Sequence, residues 1–339
     1  MAFEIQDTHE LMTVVENFPA VPSFWLDNFF PGAHFSDSEW IDIDTVDKGK
    51  RLAPFVAPNV QGQPMLQRRE NTRRVKPAYL KPKDALDPQR VLKRRQGESL
   101  GGSMTPQERE DAIVADILGD HDEMIRRRWE WMACEAMKNG AVTVEGENYP
   151  SSTVGFGRDS ANTVVLSGSA RWGETGSSPL ANVKTWSQQI FRSGRAARDL
   201  IMGVGAAEVF FEDEKVIDML ETRRGSTVSM EKYDVDGSPV VYYGTLRGGV
   251  RVWGYNDTYE DNDGVEHQFL DDDDVILAGD VQGVRCFGAI MDRKAGWAPM
   301  AMFPKMWEQE DPSGLFLMTQ SAPLMVPTRP NASMRVTVR

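Results

Sequence analysis

Apolar residues mark one long stripe in the middle of the chain. Ile113, Ile117, Leu118, Met124, Ile125, Trp129, Met132 and Ala136 fall at spacings that bring them to one side of a helix. Thr105-Pro106-Gln107-Glu108 supplies a start, with the reciprocal Thr and Glu of a capping box and a proline in the first turn. Asn139-Gly140 supplies the stop. A continuous helix of about thirty-five residues, at ~1.5 Å each, is a rod roughly 50 Å long. Gly119 is the candidate point for a kink or split.

Before this stripe, Leu11, Met12, Val14, Val15, Phe18, Trp25, Phe29 and Phe30 mix with Pro and Asp. They predict a short helix near Glu10–Glu16 and then an irregular arm through 47. An exposed apolar arm invites association, so it is expected to lie on another surface, its own or a neighbour's. After the stripe, 141–157 reads as two strands with a turn between them, and 167–178 as a Gly/Ser loop. Ser178-Pro179 opens a helix carrying Val183, Trp186, Ile190 and, further on, Leu200 and Ile201. The run 206–211 reads as a buried strand leading into a helix over 212–224. Short strands dominate 238–291, with Asn262-Asp263-Gly264 as a hairpin turn, and 315–326 is strand-like again. The class is α+β, with one long helix, at least two sheets and no internal repeat.

Charge changes this picture more than composition does. The 339 residues are 40% hydrophobic and 26% charged, ordinary for a soluble protein, and the net charge is −13. Yet Lys48–Arg95 holds fourteen Lys and Arg against Glu70, Asp84 and Asp87, a balance of +11, leaving −24 for the remainder. Six of the 19 prolines lie in 48–98. Pro77, Pro82 and Pro88 exclude a helix through the densest charge, and the alternation of Val75, Pro77 and Tyr79 points to an extended two-stranded loop. Three readings follow: a solvated charge run, a nucleic-acid contact, or a contact with an acidic protein surface. Only Phe55 and Tyr79 are available as stacking platforms in 48–95, which weakens the second. The third has an obvious partner in the acidic remainder of another copy.

Recognisable chemistry fails its context tests. His9-Glu10 opens like a zincin motif, but Thr13 stands where the second ligand belongs. Ser229-Met-Glu-Lys232 has the spacing of an acyl-enzyme Ser and Lys without the accompanying motifs. Asp271–Asp274 is expected to be a solvated turn at the start of a strand, and no calcium-loop register fits it. Gly203-Val-Gly205 is expected to precede a strand, where dinucleotide glycines follow one. The Gly168–Gly176 loop lacks a phosphate loop's Lys-Ser/Thr. No catalytic, metal or cofactor residue is assigned, and the chain is not expected to be an enzyme. Cys134 and Cys286 are too few for a disulfide framework. The first residues carry acids rather than a secretory signal's Lys or Arg, and no apolar run spans a bilayer, so a soluble, cytosolic chain is expected.

Four stretches in order carry a resemblance: AYLKPKDALDPQRVLKRR at 78–95, LETRRGS at 220–226, FGAIMD at 287–292 and SAPLM at 321–325, with GRDS at 157–160 fitting the same pattern. From about residue 48 to 326 the chain resembles the phage lambda-type major head (capsid) protein family. The resemblance implies the Hong Kong-type fold of tailed-phage capsids. The N-terminal arm would be 1–47 and the extended loop 48–98. A peripheral domain with the spine helix would take 99–160 plus 313–339, and an axial domain 161–312. The extended loop of that fold lies across a neighbouring subunit, making Arg68, Arg69, Arg73, Arg74, Lys76, Lys81 and Lys83 the candidate inter-subunit contacts. It further implies a major capsid protein that self-assembles into hexamers and pentamers of an icosahedral head around double-stranded DNA. The site would be the virion, after assembly in the host cytoplasm, with no cofactor and with a decoration protein, a scaffold and a portal as partners. The alternative is a nucleic-acid-binding protein using 48–95.

Overall fold

The computed structural model describes residues 8–18, 22–47, 61, 69–86, 88–93, 104–146, 149–193, 195–213, 215–216, 240–246, 248–261, 263–311 and 314–339. The arm folds onto its own chain. Helices α1 (Thr8–Glu16) and α2 (Phe24–Phe29) bring Leu11 and Trp25, with the neighbouring Phe30, fully out of solvent. Strands β1 (Gly32–Phe35) and β2 (Ile41–Asp47) follow. β2 pairs antiparallel with β3 (Arg69–Val75), Ile41 opposite Val75 and Asp47 opposite Arg69. The expected two-stranded ribbon therefore takes one strand from the arm. β4 (Lys83–Leu86) and α3 (Pro88–Leu92) complete the described part of the basic segment.

The apolar stripe is one helix, α4 (Pro106–Asn139), of 34 residues. Thr105 Oγ1 accepts from Glu108 N while Glu108 accepts from Thr105 N, and Gly140 ends the helix at φ 64°. Gly119 does not break it. The glycine faces Phe18 at ordinary contact distance and lies within a continuous helix. Met124 is a correction to the stripe, being 58% exposed. Consecutive helical residues diverge by about 100°, and Ile125 takes the inward direction.

Beyond α4 come the hairpin β5 (Ala141–Gly146) and β6 (Tyr149–Gly155), then β7 (Thr163–Val165), α5 (Pro179–Arg192), β8 (Asp199–Met202) and α6 (Val204–Glu212). Here the structure differs from the sequence reading twice. Leu200 and Ile201 stand on β8 and not on the preceding helix, and 206–211 is helical rather than a strand. β8 is buried on both faces and shows no alternation. Ala206 and Phe210, four apart, share a helix side, and short apolar runs of either kind look alike in sequence. The helix expected over 212–224 lies mostly outside the described residues.

The remaining strands are β9 (Val240–Thr245), β10 (Arg251–Tyr255), β11 (Thr258–Glu260), β12 (Glu266–Gln268), β13 (Asp274–Ala278), β14 (Gly283–Phe287), β15 (Phe303–Gln309), β16 (Gly314–Gln320), β17 (Pro323–Pro327) and β18 (Ser333–Thr337). A six-stranded sheet runs β7-β18-β13-β8-β10-β9. It shares a core with α5 and α6 around Trp172, Trp186, Ile190 and Phe210. The three-stranded sheets β1-β14-β17 and β15-β16-β4 contribute to the other large core with α4 and the arm. The chain's end thus serves both units, β16 and β17 on the α4 side and β18 inside the six-stranded sheet.

Candidate assembly site at the root of the extended loop

Three of the sequence stretches that carry the resemblance meet where the basic ribbon joins the body. After β3, Pro77 cannot donate to a ladder and turns the chain inward. Its ring packs on Gly288 so closely that a Cβ there would sit 2.8 Å from it. Tyr79, half-buried, donates its hydroxyl to Ala289 O at 2.8 Å and accepts from Met291 N. Leu80 and Ser321 exchange backbone bonds, Leu80 N to Ser321 O at 2.8 Å and Ser321 N to Leu80 O at 3.1 Å. Gly288 N donates to Ala322 O at 2.9 Å, and Ser321 Oγ to Ala301 O at 2.6 Å. Ile290, Ala295, Phe303 and Ala322 form a small core beneath.

The next strand continues the anchorage. β4 pairs with β16, and Thr319 N donates to Pro82 O at 3.1 Å. His121, fully buried on α4, lies between Thr319 Oγ1 at 3.0 Å and Asp84 Oδ2 at 2.9 Å. One imidazole therefore joins the spine helix, the loop strand and β16. His121, Thr319 and Asp292, which accepts from Lys305 Nζ at 2.7 Å, were not singled out from sequence, and Tyr79 was noted there only for its alternation and as a possible stacking platform. For Tyr79 and Asp292 the signal existed, since both stand inside the resembling stretches.

Most predicted contact residues line the exposed ribbon and its root. Arg74 Nε meets Asp42 at 2.8 Å and Lys76 Nζ meets Glu39 at 2.8 Å. The hydrogen bond from Lys76 holds the Glu39 carboxyl below its usual range, and that from Arg74 does the same for Asp42. Arg73 donates to Gly155 O at 3.0 Å. Lys81 lies over the Tyr79 ring at 4.9 Å, and Lys83 over Phe316 at 4.1 Å. The Arg69 side chain and all of Arg68 lie outside the described residues. Part of the basic charge thus meets acids of the same chain, contributed by the arm. Exposed pairs of this sort hold little energy and remain free to exchange partners.

The other sequence features resolve structurally. Arg158 of the GRDS stretch closes α4 at its C-terminal end, donating to Met137 O at 2.7 Å and Lys138 O at 2.8 Å. Burial lowers its pKa to about 10, with Arg335 nearby adding to the effect. Gly203-Val-Gly205 does follow a strand and open a helix, contrary to expectation. A phosphate has no room there, because a Cβ on Gly203 would already sit 2.3 Å from Asp271 O, and Glu208 replaces the third glycine. The acidic run is not uniformly solvated. Asp274 is buried and pairs with Arg335 at 2.7 Å, and Asp271 pairs with Lys138 at 2.8 Å. Buried acids of a strand that starts inside a sheet need such cationic partners. Residues 220–232, with LETRRGS and the Ser229–Lys232 pattern, lie outside the described residues, as does the His9 side chain. Among the described residues no group of three His, Cys, Asp or Glu side chains could hold a metal ion.

Comparison with known proteins agrees with this geometry. The sequence matches the family described as "Phage major capsid protein E" over residues 7–338. It is 27% identical over 337 residues to the major capsid protein of Enterobacteria phage P21, covering 98% of each chain. It is 28% identical over 308 residues to the major capsid protein of Escherichia phage lambda, covering 89% of this chain and 90% of that one. The fold is shared with the crystal structure of a putative capsid protein of an E. coli CFT073 prophage, at a TM-score of 0.74 and 23% identity over 98% and 99% of the two chains. The Cyanophage P-SCSP1u capsid structure gives 0.52 at 8% identity over 94% and 90%. A family match across nearly the whole length admits one conclusion: this chain belongs to the phage major capsid protein E family, which is structural and not enzymatic.

Proposed function

We propose that the chain is a major capsid protein, one that self-assembles into the hexamers and pentamers of an icosahedral phage head enclosing double-stranded DNA. The observation that carries this is the family match over residues 7–338. The anchored basic ribbon supports the same reading. Its root is fixed by Tyr79, Leu80 and His121 and by the buried Ile41 and Ile43, while Arg73, Arg74 and Lys76 stay exposed on it, which supports a contact with a neighbouring subunit. Arg68, Arg69, Arg73, Arg74, Lys76, Lys81 and Lys83 are the proposed inter-subunit residues. The arm would be 1–47, the extended loop 48–98, the peripheral domain 99–160 plus 313–339, and the axial domain 161–312, with β18 shared between the last two. A decoration protein, a scaffold and a portal are the further proposed partners, and the host cytoplasm the proposed place of assembly.

A nucleic-acid-binding role for 48–95 finds no support. Tyr79 is half-buried, its hydroxyl tied to Ala289 and Met291 and its ring covered on one side by Lys81, which argues against its use as a stacking platform. Negative-stain microscopy of the purified full chain tests the proposal directly. Closed shells or six- and five-fold capsomers are expected; a uniform monomer at all concentrations, alone and with co-expressed phage head proteins, contradicts it.

A further inference from the structure

The turn between β14 and β15 holds an exposed aromatic side chain in backbone geometry that bulky residues avoid. Trp297 is 59% exposed and sits at φ 55°, a left-handed position best suited to glycine. The turn beneath it is firmly built. Asp292 Oδ1 accepts from Lys294 N at 2.8 Å, and Oδ2 accepts from Lys305 Nζ at 2.7 Å and Gln320 Nε2 at 3.1 Å. Gly296 N donates to Arg293 O and Ala298 N to Ala295 O, and Ala295 is buried in the small core with Ile290 and Phe303. Met291, 54% exposed, opens the same turn. Arg293 and Lys294 are exposed, and among the described residues neither side chain makes an ion pair. Strained backbone that displays an aromatic and two cations outward is the make-up of an interface anchor.

The complementary surface lies elsewhere on the same chain. The β11–β12 hairpin exposes Glu260, Asp263 and Glu266, has no Lys or Arg between Thr258 and Gln268, and leaves Val265 51% exposed near its tip. Resting on the capsid reading above, we propose that the Trp297 turn of one copy docks on the β11–β12 hairpin of a second copy. Trp297 and Met291 cover Val265, and Arg293 and Lys294 face Asp263 and Glu266. The proposed contact is heterologous, as the six- and five-fold rings of the capsid reading require. Each copy uses its turn on one neighbour and its hairpin on the other, and such contacts close into rings.

Trp297→Gly tests the proposal with the full chain. Glycine accepts the left-handed backbone, so the folded variant is expected to be at least as heat-stable as the unmodified chain. The concentration for half-maximal association in sedimentation velocity is expected to rise tenfold or more. Arg293→Glu with Lys294→Glu is expected to weaken association likewise, and adding Asp263→Lys and Glu266→Lys to that chain to restore it. If the unmodified chain associates and Trp297→Gly associates at the same concentration, the docking surface is wrong while the capsid reading stands. A charge swap that fails to restore association overturns the hairpin as the docked surface. An unmodified chain that stays monomeric at all concentrations, alone and with co-expressed phage head proteins, overturns both.

Discussion

Glu130 is a carboxyl group inside the apolar stripe of α4, with both oxygens turned to the backbone of the arm. Oε1 accepts from Trp25 N at 2.7 Å and Oε2 from Leu26 N at 3.0 Å. Burial raises its pKa to about 7, the charges of Asp27 and Asp257 add to the rise, and the two N–H bonds act against it. The sign of the consequence follows from linkage. A folded-state pKa above the unfolded one means the native state holds the proton more tightly. The stabilisation is full below about pH 4.5 and is lost as pH rises through about 7. The separation corresponds to on the order of 3 kcal/mol across that window. Urea unfolding of the native sequence and of Glu130→Gln at pH 5 and pH 8 isolates it, because the other titrating groups cancel in the difference. The stability of the native sequence relative to the variant is expected to fall as pH rises; a difference that stays flat contradicts the assignment. The sequence displayed a charged residue among apolar ones here, but not its partners, which lie on a segment about a hundred positions away.

At the scale of elements, legibility followed the locality of the signal. The capping box, the Gly140 stop and the β11–β12 turn are written in adjacent residues, and each was readable. The identity of 206–211 and of Leu200-Ile201 was not, because burial is set by sheets assembled from distant parts of the chain. Gly119 shows the limit from the other side. A lone glycine suggests a break, yet tertiary packing of Phe18, Ile117 and Leu118 carries the helix through it. A test follows from the space beside it. A Cβ at 119 would meet the Phe18 ring at 3.9 Å, an ordinary contact. Gly119→Ala is therefore expected to stabilise the chain by about 0.5–1 kcal/mol through helix propensity alone. A higher urea midpoint with an unchanged slope is the expected result. A destabilised Gly119→Ala variant would mean that the helix bends at this point in the folded protein. Arg158 illustrates the opposite case. It stands in a visible stretch, but its service to the last carbonyls of α4 became evident only with the fold.

For the whole molecule, the separation of charge along the chain was legible, and its partial neutralisation was not. The acids that meet Arg74 and Lys76 come from the arm, Asp42 and Glu39, because β2 of the arm supplies the second strand of the ribbon. This sharpens the test of the basic loop. Changing Arg68, Arg69, Arg73 and Arg74 to Glu moves 48–95 from +11 to +3. Each exposed pair contributes roughly 0.2–1 kcal/mol, so a single change is expected to pass unnoticed. A closed assembly repeats the contact in every subunit, and small losses accumulate through multivalency. The quadruple variant is expected to fold as a subunit, to assemble poorly at low salt, and the native sequence to lose assembly as salt rises. The in-chain pair offers an internal control. Asp42→Arg with Arg74→Asp preserves that pair in reverse without changing net charge. If Arg74 acts only by stiffening the ribbon against Asp42, the reversed pair assembles like the native sequence. If Arg74 also reaches an acid on the neighbouring subunit, the reversed pair weakens assembly, though less than the quadruple variant does. Light scattering of the three proteins across a salt series separates these outcomes. Normal particles from the quadruple variant at every salt concentration would falsify the electrostatic role and leave assembly to the apolar surfaces.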